Sequence, residues 1–373
     1  MAPVTSDANP PGLDLDALRA WLGGRLSERV DPGAALGAEL IAGGRSNLTY
    51  LLTWGETRMV VRRPPLGHVL PTAHDMGREH RVLAALADTE VPVPRPLALC
   101  DDESVIGAPF YVMEYVPGRV LRTAEDAGDV TPEQAGQLCE QLVRTLAAIH
   151  TVDVDAIGLA GFGRPDGYLE RQLRRWQQQW DRSKTRDLPA YDTLVARLAR
   201  HLPATGGKGL VHGDYRLDNA LVRLEPEPYV AGVVDWEMST LGDPLADLGL
   251  TLTYWADPPD AEQEKYSGAK RHEWGGGGER GWQIPVGATV TAAPGFWSGR
   301  KFAERYAELT GTDLGDIAYY LAFGHFKLAV VLEGIHARYL QNATVGEGFE
   351  TIGASVPVLV ERANRVLTEA GLG

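Results

Sequence analysis

Apolar residues recur at Leu15, Leu18, Leu22 and Leu26, with Trp21 beside them. This spacing predicts a helix over about 14–29 with one apolar face, and Asp14 stands where an N-cap belongs. Residues 1–12, polar and rich in proline, read as a disordered tail. From Leu36 to Pro64 the period shortens. Ile41 to Trp54 reads as strand, glycine turn and strand; Gly55-Glu56-Thr57 is a second turn; Arg58 to Arg63 is a third strand, stopped by Pro64-Pro65. The pattern is an antiparallel meander. A helix follows over about 74–88, with Met76, His80, Leu83 and Ala87 on one side. Val91-Pro-Val-Pro-Arg-Pro96 reads as an extended connector, because each proline pushes its predecessor out of the helical region. Pro109 to Val116 is one more strand, ended by Pro117-Gly118.

The remainder is mostly helical. Thr131-Pro132-Glu133 opens a helix that runs to His150, a cap followed by proline at the first helical position. Further helices are predicted at Tyr168 to Trp180, Tyr191 to His201, Gly299 to Leu309, Asp313 to Gln341 and Thr351 to Ala370. Leu210 to Glu237 breaks this pattern: two short apolar runs, Leu221-Val222 and Val230 to Val234, surround a polar turn and predict a β-hairpin. Residues 262–287, with four consecutive glycines at 275–278, read as a long loop.

Composition narrows the function. The chain has 373 residues, ample for two domains or two lobes, and 44% of them are hydrophobic, enough for a sizeable core. The net charge of −14 argues against a protein that coats nucleic acid. Cys100 and Cys139 cannot build a disulfide framework and lack zinc spacing, so they read as reduced thiols of a cytoplasmic protein. No leader is visible. The apolar stretch Ile317 to Ile335 carries His325, Lys327 and Glu333, and reads as a buried helix rather than a membrane span.

The densest polar cluster is His212-Gly213-Asp214 with Asn219, followed by Asp235-Trp236-Glu237. Asp214 and Asn219 share a tight loop before one strand, and Asp235 ends the partner strand. An amide oxygen and a carboxylate are hard ligands suited to Mg²⁺, and a second carboxylate could take a hydroxyl proton. Loop caps and turn formers are the plain alternative for Asp and Asn.

His212-Gly-Asp-x-x-x-x-Asn219 with Asp235-Trp-Glu resembles the catalytic and metal-binding motifs of the aminoglycoside phosphotransferase and choline kinase superfamily, over about residues 36–365. Within it, Val61-Arg-Arg-Pro-Pro, His74-Asp-Met-Gly-Arg-Glu-His, Val91-Pro-Val-Pro-Arg-Pro and Leu241-Gly-Asp-Pro-Leu-Ala-Asp resemble the branch of bacterial phosphotransferase-family proteins akin to the kinase-like head of acyl-CoA dehydrogenase fusions. The resemblance implies an α+β, protein-kinase-like two-lobed fold: a tail and helix over 1–35, a nucleotide-binding N-lobe over 36–116, and a C-lobe over 117–373 carrying the catalytic hairpin 210–237. It implies transfer of a phosphoryl group from ATP to a hydroxyl of a small molecule. Asp214 matches the base, and Asn219 and Asp235 match the Mg²⁺ ligands. Ser46 and Asn47 match the loop over the nucleotide, and Met113, Glu114 and Tyr115 match the hinge that meets adenine. Glu79 matches the partner of the phosphate-binding lysine.

That lysine is missing. Strand alternation puts Val60 and Arg62 on one face and Arg63 on the other; Arg62 is assigned the lysine's place, with Arg63 as the alternative. Arginine keeps the charge and adds a fork of donors. A nucleotide- or metabolite-binding protein without phosphotransfer is the competing expectation, motivated by this substitution. His212 reads as a backbone brace and Asp247 as a buried carboxylate fixing the loop. Lys327, in an apolar helix, is either a paired or snorkelling lysine or an anion contact for an acidic acceptor. Trp255, Trp274 and Trp297 either line an acceptor pocket or simply pack. Lys265, Lys270, Arg271, Arg280, Arg300 and Lys301 lean away from a polycationic acceptor.

Overall fold

The computed structural model describes residues 9–41, 47–66, 75–204, 207–255, 290–341 and 349–373. The chain divides into two units: Met1–Gly118 with Ala231–Ser239, and Arg119–Val230 with Thr240–Gly373.

The first unit is built on one antiparallel sheet. Strands β1 (Leu36–Leu40), β2 (Leu48–Trp54), β3 (Thr57–Arg63), β4 (Pro96–Cys100) and β5 (Phe110–Glu114) lie in the order β1-β2-β3-β5-β4. The register sets Val61 opposite Tyr50 and Val112, and Arg62 opposite Thr49 and Tyr111. Tyr50, Leu52, Trp54, Met59, Val61, Phe110 and Val112 form a core with Leu18 and Leu22 of helix α1 (Leu15–Gly23). Strand alternation therefore gives one sheet face to α1 and leaves Val60 and Arg62 on the other. Asp14 caps α1 through the Ala17 N–H, 2.9 Å. The helix stops at Gly23, short of the expected Arg29, and Leu26 enters the same core from the turns beyond it. Residues 9–12 are not a free tail: Asn9 accepts from the Leu15 N–H, Tyr50 Oη donates to the Pro11 carbonyl, and Arg63 donates to that of Gly12.

Helix α2 (Met76–Leu86) buries Met76, Glu79, Val82, Leu83 and Leu86. The expected face, with His80 and Ala87, is displaced, because a carboxylate occupies a core position. β4 begins at Pro96, the last residue of the run read as a connector, and continues through Cys100, where no strand was expected. Its proline is at the first strand position, where no ladder donor is required.

The second unit is helical, with α3 (Pro132–Thr151), α4 (Tyr168–Ser183), α5 (Pro189–Arg200), α6 (Pro244–Thr253), α7 (Gly299–Thr310), α8 (Ile317–Leu340) and α9 (Ile352–Glu369). Thr131 and Gln134 form a reciprocal capping box at α3. α8 is apolar on nearly every side because α4, α6 and α9 surround it. Its crossing with α6 requires glycine twice: a Cβ on Gly249 would lie 2.3 Å from the Tyr320 carbonyl oxygen, and one on Gly324 would lie 2.8 Å from that of Gly249. Short strands β6 (Gly209–Val211) and β9 (Thr240–Gly242) pair antiparallel. β7 (Ala220–Arg223) and β8 (Tyr229–Val233) form the expected two-stranded sheet, and the division between units falls inside β8. α6 was not expected. It is buried on all sides and so has no amphipathic period to read. Among the described residues no helix is long and apolar enough to cross a membrane, and both cysteines are free and buried.

Candidate active site

In the first unit, β3 delivers Arg62 and α2 delivers Glu79. Arg62 Nε donates to Glu79 Oε2 at 3.0 Å and Nη1 donates to Thr49 Oγ1 at 3.1 Å, while Nη2 donates to Asp235 Oδ1. One guanidinium thus ties two carboxylates and a hydroxyl, which a lysine ammonium could not do with the same planar fork. Arg63 points to the opposite face and donates to the Ile106 carbonyl, 3.0 Å. Burial pushes the Glu79 carboxyl up to about 7, against the pull of Arg62. Burial also works against the Arg62 charge, but Glu79 and Asp235 outweigh it and hold the guanidinium protonated. Asp235 is the one non-glycine among the described residues with a positive φ, 69°. That left-handed conformation costs about 1–2 kcal/mol for an ordinary L-residue and less for Asp.

Asn47 is buried, and its Nδ2 donates to Glu237 Oε2 at 2.9 Å. Ser46 and Gly43 to Arg45 lie outside the described residues, as do Trp274, Lys265, Lys270, Arg271, Arg280 and the loop 262–287. Met113 sits opposite Val60 and Pro96 in the sheet. The Glu114 N–H donates to the Arg95 carbonyl at 2.9 Å, so that group of the expected hinge is already spent; its carboxylate meets Arg29 at 3.0 Å. The Tyr115 ring carries the Arg58 guanidinium 4.1 Å from its centroid.

In the second unit, the catalytic-motif loop leaves β6 and is clamped from all sides. Asp247 of α6 accepts the His212 N–H (2.6 Å) on Oδ2 and the Gly213 N–H (2.9 Å) on Oδ1. His150, at the end of α3, lies with Nε2 3.2 Å from Asp247 Oδ2 and Nδ1 2.7 Å from Tyr306 Oη. Burial works to raise the Asp247 carboxyl, but the hydrogen bond to His150 and the charges of His150, His212 and Lys327 hold it below the usual carboxylate range. His212 is fully buried and its Nδ1 accepts the Asp214 N–H at 3.2 Å. Tyr215 Oη donates to the Leu142 carbonyl at 2.9 Å, anchoring the loop to α3.

Asp214 itself receives several donors. Asn219 Nδ2 donates to its carbonyl (2.8 Å) and to Oδ2 (3.1 Å), Tyr254 Oη donates to Oδ1 (3.3 Å), and Arg216 Nε lies 3.3 Å from Oδ2. With its NH₂ directed at Asp214, Asn219 has its amide oxygen left to offer a cation. A small pocket beside Asp214 is lined by Arg216, Leu217, Thr251, Tyr254, Trp255 and Thr291. Trp255 thus faces that pocket and donates to the Trp297 carbonyl at 2.7 Å, while Trp297 stacks under Lys301, 4.1 Å away. Arg300 pairs with Glu304 at 2.8 Å.

The structure therefore brings Arg62, Glu79 and Asp235 together in one unit, and Asp214 and Asn219 together in the other. Sequence reasoning missed His150 and Tyr254. Neither sits in a motif, and nothing local marks a histidine at a helix end or a tyrosine just past one.

A kinase-like fold is the class these elements define. Residues 37–282 match the phosphotransferase enzyme family, and the chain belongs to it. Acyl-CoA dehydrogenase family member 11 of Gallus gallus is 34% identical over 337 residues, covering 89% of this chain and 40% of that protein. The chain thus spans less than half the length of the curated relatives it matches first. A candidate aminoglycoside phosphotransferase from Ralstonia eutropha JMP134 is 33% identical, with a TM-score of 0.75 over 95% of this chain and 98% of that one. Choline kinase from Cryptosporidium parvum Iowa II, 12% identical, shares the fold with a TM-score of 0.64 over 96% of this chain and 98% of that one.

Proposed function

We propose that the chain transfers the γ-phosphoryl group of ATP to a hydroxyl of a small molecule, of the hydroxyacyl-CoA, sugar-like or aminoglycoside-like kind. The observation that carries this reading is the loop around Asp214. Its backbone is fixed by Asp247 and His212, and its carboxylate is aimed by Asn219 and Tyr254. Such fixing is what positioning catalysis needs. Asp214 would hold and accept the proton of the acceptor hydroxyl. Arg62, braced by Glu79, would meet the α- and β-phosphates, and Ser46 and Asn47, of the loop over the nucleotide, would meet phosphate.

Asn219 in one unit offers an amide oxygen and Asp235 in the other a carboxylate, each a hard donor of the kind Mg²⁺ takes. The described residues hold no group of three or more His, Cys, Asp or Glu placed for a metal. A two-ligand protein contribution, completed by water and phosphate, is the usual Mg²⁺ arrangement. When bound, the ion neutralises charge on the phosphate oxygens.

A second reading, nucleotide binding without transfer, is favoured by one contact. Arg62, the residue in the lysine's place, is engaged with Asp235. One experiment separates the two. Mg²⁺-dependent ATP consumption is measured for wild type and Asp214→Ala across hydroxyacyl-CoAs, sugars and aminoglycosides. Turnover with one acceptor class that is lost in the variant supports transfer; nucleotide binding with no turnover on any acceptor supports the second reading.

A further inference from the structure

The peptide linking Gly213 to Asp214 lies between β6, which ends at Val211, and the short helical turn at Leu217–Asn219. No strand or helix fixes its orientation, and Gly213 sits at φ 86°, where the backbone turns most freely. Side chains must therefore hold it. Its N–H, that of Asp214, is accepted by His212 Nδ1; its carbonyl, that of Gly213, is bound by Lys327 Nζ at 2.6 Å.

Lys327 comes from the middle of α8, between buried Phe326 and Leu328. Its ammonium lies 5.5 Å from the centroid of the Trp176 ring on α4. The charged groups facing it are Asp214 and Asp247, which favour its charge, and Arg175, which opposes it; burial lowers its pKa further than the carboxylates restore it. A methionine would fill the same volume without desolvating a charge. The position thus keeps a charge at a cost, and the bond it makes is to the carbonyl adjoining Asp214.

We infer that Lys327 is a positioning residue for phosphotransfer, its ammonium fixing the Gly213–Asp214 peptide and through it the direction in which the Asp214 carboxylate is presented. This rests on the reading of Asp214 as the base. Misplacing a catalytic group by 1 Å costs about 10²-fold in rate. Releasing the carbonyl lets the peptide rotate and Asp214 swing with it.

The test compares wild type, Lys327→Met, Lys327→Arg and Asp214→Asn in full-length protein. The probe is Mg·ATP, with turnover followed in water alone and with the acceptor pool, and melting temperature recorded for each. Lys327→Met is expected to lower kcat about 10- to 100-fold while KM for ATP stays within about twofold. Lys327→Arg, which keeps the charge and a donor, is expected to recover most of that loss, and it carries the test if Lys327→Met does not fold. A mere packing role would give a lower melting temperature with kcat intact, and an arginine variant worse than methionine. Asp214-dependent turnover unchanged in folded Lys327→Met, or a loss confined to KM for ATP, overturns this inference alone. A wild type with no Asp214-dependent turnover overturns the phosphotransfer reading and this inference with it.

Discussion

Asp247→Asn removes a charge from a site with no water to replace it. The carboxylate is buried, with 3% of its surface exposed, and accepts two backbone N–H groups at 2.6 and 2.9 Å besides its contact with His150. Hydrogen bonds to an ionised acceptor contribute about 1.5–3 kcal/mol each, and neutral ones about 0.5–1.5. Neutralising the acceptor thus weakens each of three contacts by about 1 kcal/mol. The new amide also turns an NH₂ toward a backbone N–H or the His150 ring, leaving one buried donor unpaired at a further ~1–3 kcal/mol. The expected loss is about 4–6 kcal/mol of unfolding free energy. Urea unfolding followed by tryptophan fluorescence reads it, with the slope checked to be unchanged.

The pH dependence supplies the sign. The Asp247 carboxyl titrates lower in the folded chain than its ordinary 3.8. Its stabilisation is therefore fully present above about pH 4 and is lost as pH falls below 3.8 toward the folded value. The asparagine variant should lack this part of the acid limb. A variant within 1 kcal/mol of wild type at pH 7, with an unchanged acid limb, would refute the claim that Asp247 holds the loop.

Two further outcomes follow from contacts in the separate units. Arg62→Met takes the cation from Glu79, whose carboxyl, already pushed up to about 7 by burial, should then take a proton at neutral pH; the unit should lose about 1–3 kcal/mol with the broken charge-assisted hydrogen bonds, and affinity for ATP measured by calorimetry should fall; retained stability and affinity would remove Arg62 from both roles. Gly249→Ala forces a methyl to within 2.3 Å of the Tyr320 carbonyl oxygen, and the forced separation of α6 from α8 should cost about 1–3 kcal/mol, visible as a lower melting temperature, whereas an unchanged melt would mean the crossing has slack.

Local signals placed much of this fold. Thr131-Pro132 and Asp14 mark helix starts because caps act within one turn, and both cap as expected. Strand alternation separated Arg62 from Arg63 because the sheet is two-sided and each face has its own partner. What escaped has a shared cause: burial that does not follow a period. α6 is enclosed on all sides, so its apolar positions show no stripe, although Asp243-Pro244 is a legible cap. Glu79 was expected as the partner of the residue in the lysine's place, but the face read for α2 left it out, because an apolar period does not count a carboxylate as a core position. β4 begins on the last proline of the 91–96 run, and its half-buried positions show no alternation to read. In the candidate site the motif residues were legible, while His150, which steadies Asp247 from 97 positions away in sequence, was not.

The first unit takes its chain in two pieces, Met1–Gly118 and Ala231–Ser239. On the ribosome this imposes an order. When Gly118 has emerged, the sheet and the Arg62–Glu79 pair can form, but Asp235 has not yet been made. At about 5–20 residues per second, roughly 6–24 s pass before the second piece arrives. For that interval the Arg62 guanidinium lacks one of its two carboxylates, and the nascent unit is held by its apolar core, its sheet and the Arg62–Glu79 pair. A fragment cut at residue 118 would remain in that state permanently, so any dissection of this protein should carry residues 231–239 along with the sheet.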